Sequence, residues 1–474
     1  MKVSARALVI AYDFPPHGAI GTMRTLRLVR QLHAEGWTVT VLTGSPRTYL
    51  PDTPVEASLA RLVPPDVRVI AVRAFRPLST IERLIRGRTR KGSTSEDRGN
   101  AGSSATGRRR PAWLTGLARV KDFIDGMLAI PDNESGWIAP AALRGLMQMV
   151  ANGRPDVIYS SAPPWSGQTV AWILAALAGR PWVADFRDPW ARAPGRDWRL
   201  PFRQRAVERI ERRVVGRADG ILFVTRANLD EFAAFYGSAA ARRFHLVPNG
   251  CDPTEFETLT PKPSPGKFVL LHAGTFYGPR NPLPILRGVA SAVSRGALDP
   301  DTFRLRLLGT NSLALDLAAE SRRLGIEHIV EIMPRASRAE TLQQMMSASA
   351  LLLVQTNTTV SIPGKAYEYL AARRPVLALS EEGETAELVR ASGLGVVVRP
   401  DEPIAAIEAA LLEIVALAGH PVSPAAPELF DGRVHAATTE RLLVEFARCR
   451  RRRSGVVQPV EGNRPVAATE ESRR

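Results

Sequence analysis

At 474 residues the chain is longer than one ordinary hydrophobic core organises, so two or three compact units are expected. Its 45% hydrophobic and 23% charged residues are those of a folded globular protein and exclude wholesale disorder, and two cysteines exclude a disulfide framework. A net charge of +16, from 63 basic and 47 acidic residues, directs attention to an anionic partner or surface.

The excess is clustered. Between Arg83 and Arg110 nine residues are basic, against only Glu96 and Asp97, and Arg448 with residues 450–453 forms a second cluster. No helix-turn-helix, zinc-finger or RNA-binding signature accompanies them, so no nucleic-acid partner is expected. Anionic lipid headgroups fit the clusters, and plain abundance of arginine is the alternative. Cys251 and Cys449 suit a reducing cytoplasm. The first apolar run, residues 7–11, is too short for a signal-peptide core, and no window approaches the roughly 18 apolar residues of a membrane span. The expected location is cytoplasmic, with any membrane contact peripheral.

Residues 7–11 read as a buried parallel strand that breaks at Asp13-Phe14-Pro15-Pro16. A glycine-containing loop carrying Gly18 and Gly21 follows. Met23, Leu26, Leu28, Val29 and Leu32 then recur at helical spacing up to Gly36, and residues 38–43 form the next strand. This is a βαβ unit whose turn can admit a phosphate or a sugar. It lacks the G-x-G-x-x-G pattern and a terminal acid on the second strand, so a nicotinamide cofactor is not expected, nor any other cofactor.

Residues 67–72 form a further strand, and about 87–110 is a Gly/Ser/Arg-rich insertion expected to be disordered. Residues 113–150 return to helical spacing, as core helices or as a membrane-contact region beside the basic insertion. Strands over 156–160 and 182–184 deliver the loops 161–167 and Asp185-Phe186-Arg187-Asp188-Pro189-Trp190 to one sheet edge, where ligands gather in parallel sheets. A structural Asp–Arg pair is the alternative reading of that second loop. Residues 220–225 and 243–247 add strands, and a Pro/Lys-rich linker over 261–266 precedes a second series.

That series starts with a strand at 268–273 and a loop carrying Gly274, Thr275 and Arg280. Strands follow at 304–308, 329–332 and 350–355, with Pro334 and Arg335 after the third of the series. Asp299-Pro300-Asp301 satisfies D-x-D but lies where Asp and Pro build turns, so no metal site is expected there.

Ser361-Ile362-Pro363-Gly364 is a loop with free N–H groups that opens a short helix, on which Lys365 and Glu368 share a face. Arg374-Pro375 stops the helix, and residues 376–379 form a strand. An ammonium, a carboxylate and a helix N-terminus facing one volume suit a ligand with phosphates at one end and hydroxyls at the other. A solvated i,i+3 ion pair is the alternative.

The run PGKxYEYLAxxxPVLA resembles the donor-binding segment of family 4 glycosyltransferases with the GT-B fold. Asp185–Trp190 and V-x-N-G-x-D at residues 247–252 also resemble family patterns. The resemblance implies an α/β architecture of two Rossmann-like doubly wound domains facing across a cleft. Residues 1–258 would form the acceptor domain, 259–430 the donor domain, 431–450 a helix returning to the first domain, and 451–474 a disordered tail. It assigns Glu368 to the donor's ribose; Gly274, Thr275, Arg280, Pro363, Gly364 and Lys365 to its diphosphate side; and Pro334 and Arg335 to its base. Gly18, Gly21 and Arg24 fall in the acceptor and phosphate loop, with Asp188 near the acceptor hydroxyl and Arg187 orienting it.

Two departures stand out. Val360 occupies the place of a second glutamate, and Thr275 that of the first of two diphosphate-clamping cations. The implied activity is metal-independent, retaining transfer of a hexose from a nucleotide-sugar to a hydroxyl of a glycan or lipid-linked acceptor. A nucleotide-sugar epimerase of the same fold and a non-catalytic sugar- or membrane-surface binding protein are the alternatives.

Overall fold

The structure is a computed structural model that describes residues 5–18, 20–49, 53, 55–75, 129–192, 201–420 and 426–453. The insertion at 87–110 and the tail from 454 onward lie outside these residues.

Continuous apolar runs need cover on both faces, and the chain provides it with two parallel sheets. The first has seven strands: β1 (Arg6–Ile10), β2 (Thr38–Gly44), β3 (Arg68–Val72), β4 (Val157–Ala162), β5 (Trp182–Phe186), β6 (Gly220–Phe223) and β7 (Phe244–Leu246). Their spatial order is β3-β2-β1-β4-β5-β6-β7. Because side chains alternate across a strand, Leu8, Ile10 and Ile158 pack on one face with Trp137 and Leu174. Val9, Val41 and Tyr159 pack on the other with Leu26, Val29 and Leu443.

The second sheet has six strands: β8 (Phe268–Ala273), β9 (Phe303–Leu308), β10 (Val330–Met333), β11 (Ala350–Gln355), β12 (Val376–Ser380) and β13 (Gly395–Val398), in the order β10-β9-β8-β11-β12-β13. Leu271, Leu351 and Leu353 face Tyr369 and Leu370, and Leu270, Leu352 and Leu377 face Leu286, Ile407 and Leu411. Each fully buried aliphatic side chain of this kind contributes about 1.5–3 kcal/mol. All strands run parallel, but the order in which they are laid down reverses between β1 and β4 in one sheet and between β8 and β11 in the other. At such switch points the loops splay apart and leave a crevice at the carboxyl ends of the strands.

Two crossings join the halves and run side by side. Cys251 N donates to Phe430 O at 2.8 Å, and Gly432 N donates to Cys251 O at 2.7 Å. The helix Gly432–Arg453 then packs on the first half, placing Leu443 in its core. It continues through 451–453, which composition assigns to a disordered tail; arginine is a good helix former and prolongs it. Of the stripe expected over 113–150, residues 113–128 lie outside the described region. Trp137 is fully buried, whereas Met147 is 49% and Val150 80% exposed, so packing claims only one face of the helix Ile138–Asn152. Among the described residues no helix is long and apolar enough to cross a membrane. The Asp299 carboxylate accepts from Asp301 N at 2.8 Å and from Thr302 Oγ1 at 3.0 Å, which makes it a turn-builder.

Candidate active site

The helix Gly364–Ala371 enters from the switch point of the second sheet, with Pro363 as its N-cap. Tyr367, Tyr369 and Leu370 anchor it in the core, so Lys365 and Glu368 are left on its half-open face. The Tyr369 hydroxyl accepts from Ala273 N at 2.9 Å, where the β8–β11 ladder ends. Lys365 Nζ lies 3.3 Å from His272 Nε2 and beneath Gly274: a Cβ there would sit 2.4 Å from Nζ, and φ is +148°. Only glycine permits that approach. Burial, then the nearby Arg280 cation, pushes the Lys365 ammonium down to about 7, opposed by Glu368. Arg280 is half-exposed, with its guanidinium 4.6 Å from the Tyr277 ring centroid. Thr275 Oγ1 bonds Thr310 Oγ1 at 2.8 Å.

Glu368 is held by Arg338 at 3.0 Å. Arg338 also grips Glu255 through two nitrogens. Burial works against the Arg338 charge, but the two carboxylates raise its pKa above the usual arginine value. Pro334 and Arg335, the expected base-side residues, are exposed just beyond β10, ahead of the Ser337-capped helix that carries Arg338. Arg338 stands in no sequence motif, and its only cue in the amino-acid order is its place in that helix's first turn.

Across the cleft the first sheet presents its own cluster. Gly18 and Gly21 lie in the loop and helix start after β1, and a Cβ on Gly21 would collide with the Arg187 guanidinium. Arg187, expected to orient Asp188, makes its hydrogen bonds to other groups, although its charge still acts on the Asp188 carboxyl. It donates to Ala162 O at 3.2 Å and to Pro163 O, and pairs with Asp13 at 3.4 Å, tying three loops together. Asp188 keeps a face to water; the protein around the rest of its carboxyl raises its pKa, Arg187 lowers it, and Asp185 adds to the rise. Asp13 and His17, 3.4 Å apart, also stand here.

Arg24 requires a correction. It is buried, binds Asp185 through two nitrogens at 2.8 and 2.9 Å, and donates to Val247 O and Pro248 O at 3.0 and 2.7 Å. Burial opposes its charge, yet Asp185 holds its pKa above the ordinary value. These contacts make it a strap beneath the crossing between the halves, so the phosphate-loop role does not fit it.

The halves also meet at the cleft rim. Thr225 Oγ1 donates to Val360 O at 2.8 Å, and Ala227 N donates to a Glu384 carboxylate oxygen. Position 360 therefore offers a carbonyl to the opposite half where the family pattern has an acid. The nearby Glu384 occupies the N-terminus of the helix Arg226–Tyr236.

Two family models match the chain, "Glycosyl transferase 4-like domain" over residues 101–250 and "Glycosyl transferases group 1" over residues 267–416. The chain belongs to the glycosyltransferases that carry these two domains. This glycosyltransferase has the GT-B fold, shared with solved structures at low identity. HepE of Anabaena in complex with UDP has a TM-score of 0.53 and 14% identity over 95% of this chain and 99% of that one. Sucrose-phosphate synthase of Thermosynechococcus elongatus has a TM-score of 0.53 and 16% identity over 95% and 99%. The lipopolysaccharide outer core galactosyltransferase WaaB has a TM-score of 0.52 and 12% identity over 94% and 97%. No curated protein matches its sequence.

Proposed function

We propose that this glycosyltransferase moves a hexose from a nucleotide-sugar to a hydroxyl acceptor with retention and without a metal ion, in the synthesis of a polysaccharide or glycolipid. The observation that carries the reading is the convergence of Lys365, Arg280 and the open N-terminus of the helix Gly364–Ala371 at the switch point of the second sheet. A nucleotide diphosphate seated there meets two cations and free amides, which stabilise the charge that grows as the bond from the anomeric carbon to the diphosphate oxygen breaks. That bond's electron pair leaves with the diphosphate, and the acceptor oxygen attacks from the same face as its hydroxyl proton passes to the departing diphosphate oxygen. Glu368, released from or shared with Arg338, accepts hydrogen bonds from the ribose hydroxyls. Asp188 and the loops tied by Arg187 line the acceptor side.

A nucleotide-sugar donor is consistent with HepE having been solved with UDP and with UDP-glucose. The basic clusters suit an acceptor or surface of negative charge, including the inner face of a membrane.

The test is nucleotide release from a panel of UDP-, GDP- and ADP-sugars, with and without candidate acceptors. Release that depends on acceptor supports the proposal. Interconversion of the free donor points to an epimerase, and tight nucleotide binding without release points to a binding protein.

A further inference from the structure

The Lys365 ammonium has an unusual companion. Cationic side chains at anion sites are commonly steered by carboxylates, but its hydrogen-bond neighbour is the imidazole of His272 on β8, at 3.3 Å. That ring is fully buried and fixed on three sides. Nδ1 lies 3.0 Å from Leu352 O, one face stacks on Phe276 at 4.2 Å between centroids, and Nε2 meets Lys365. A carbonyl only accepts, so Nδ1 carries the proton and Nε2 presents its lone pair to the lysine.

We propose that His272 is a positioning residue for the anion site: its Nε2 lone pair aims the Lys365 amine at the cleft without supplying the negative charge that a carboxylate would. The lysine's electrostatic demand is thereby left for an incoming diphosphate, a consequence that rests on the function proposed above. Groups facing Lys365 are His272 from β8, Arg280 from the loop after β8, and Glu368 from its own helix, itself paired with Arg338. Burial, then Lys365 and Arg280, hold His272 well below its ordinary pKa, in keeping with a neutral ring. The same setting brings Lys365 to about 7, so the lysine is charged below neutrality and the site loses that charge as pH rises.

The test reads the lysine directly in the full-length protein. Acetylation by an amine-reactive ester is followed by mass spectrometry across pH, with the exposed Lys262 and Lys267 as internal references. Lys365 is expected to label with a midpoint near 7, well below the ordinary lysine value. His272→Phe keeps the ring stack but removes the acceptor. It should lower the midpoint by about half a unit or more, because the ammonium loses its hydrogen bond. His272→Gln restores an acceptor and should return the midpoint toward the wild-type value. With whichever donor the release panel selects, the alkaline limb of kcat/KM should move with the midpoint.

A Lys365 midpoint equal to that of the references overturns the proposal, as does a folded His272→Phe protein with an unchanged midpoint. Should His272→Phe fail to fold, a His272→Gln midpoint lower than wild type by the amount expected for loss of the acceptor also overturns it. Labelling needs no donor, so an incorrect donor class would appear in the release panel and leave this result standing.

Discussion

The Nη1 atom of Arg187 stands 1.0 Å from where a Cβ on Gly21 would be, so the start of one helix and the loop after β5 share a volume that only glycine leaves free. Gly21→Ala should therefore act through Arg187. The guanidinium is the far end of a flexible chain and can move away, giving up Asp13, Ala162 O and Pro163 O. The expected outcome is a fall of about tenfold in kcat/KM for transfer with a melting temperature within a few degrees of wild type. Arg187→Ala should show the same phenotype. Full activity in Gly21→Ala would dismiss the loop tie as a functional element.

Glu368→Ala should reduce turnover by about an order of magnitude or more, since the charge-assisted contact proposed to the donor is lost. Removing the carboxylate also relaxes Arg338, which still holds Glu255. Arg338→Ala tests the other side of the pair: it frees Glu368 and should raise the donor KM more than it lowers kcat. Equal effects on both constants would mean that Arg338 does more than orient its partner.

Arg280→Ala should likewise slow turnover by about tenfold or more, because one of the two cations proposed to meet the diphosphate disappears. It should also raise the pKa of Lys365, since Arg280 is the second cause holding it down. The alkaline limb of the rate profile should then shift upward. A slower enzyme with an unmoved limb would place Arg280 outside the reach of Lys365.

Much of this architecture is legible in the amino-acid order. Residues 268–273 read as a strand and are β8 to the residue, because a short apolar run that ends at a glycine leaves few alternatives. The helix carrying Lys365 and Glu368 is equally plain from Pro363 and Arg374-Pro375. What the order does not display is pairing across long separations. Arg24 meets Asp185 at 161 residues' distance, and His272 meets Lys365 at 93. An arginine beside a glycine loop looks like a phosphate ligand until the fold brings a carboxylate beneath it. Arg338 and His272 are hidden in the amino-acid order for the same reason: neither stands in a motif, and each meets a partner on another element.

Arg24→Ala should be costly to stability and should leave no simple loss of ligand affinity as its cause. It strands the buried Asp185 carboxylate, whose remaining partners are the Tyr159 hydroxyl at 2.6 Å and the Ser161 hydroxyl at 3.3 Å. Breaking one member of a buried pair typically costs about 3–5 kcal/mol. A denaturant midpoint close to wild type would show that water reaches Asp185 and that the strap beneath the crossing is weak.

Asp188 offers a prediction in which stability and activity move in opposite directions. Its carboxyl is held above the usual range, first by burial and further by Asp185, with Arg187 opposing. A group whose folded pKa is raised gives its full stabilising contribution below its unfolded value, about 3.9 for aspartate, and loses it as pH rises through the folded value. At neutral pH the ionised carboxylate therefore weighs against the native state, though water on its open face screens part of that effect. Asp188→Asn removes the charge at similar volume, so its melting temperature should exceed wild type by about 1–2 °C at pH 7 and match it near pH 3. Turnover should fall in the same variant if the carboxylate meets the acceptor hydroxyl. An Asp188→Asn protein less stable than wild type at pH 7 would mean that the ionised carboxylate gains more from Arg187 than it loses to its surroundings.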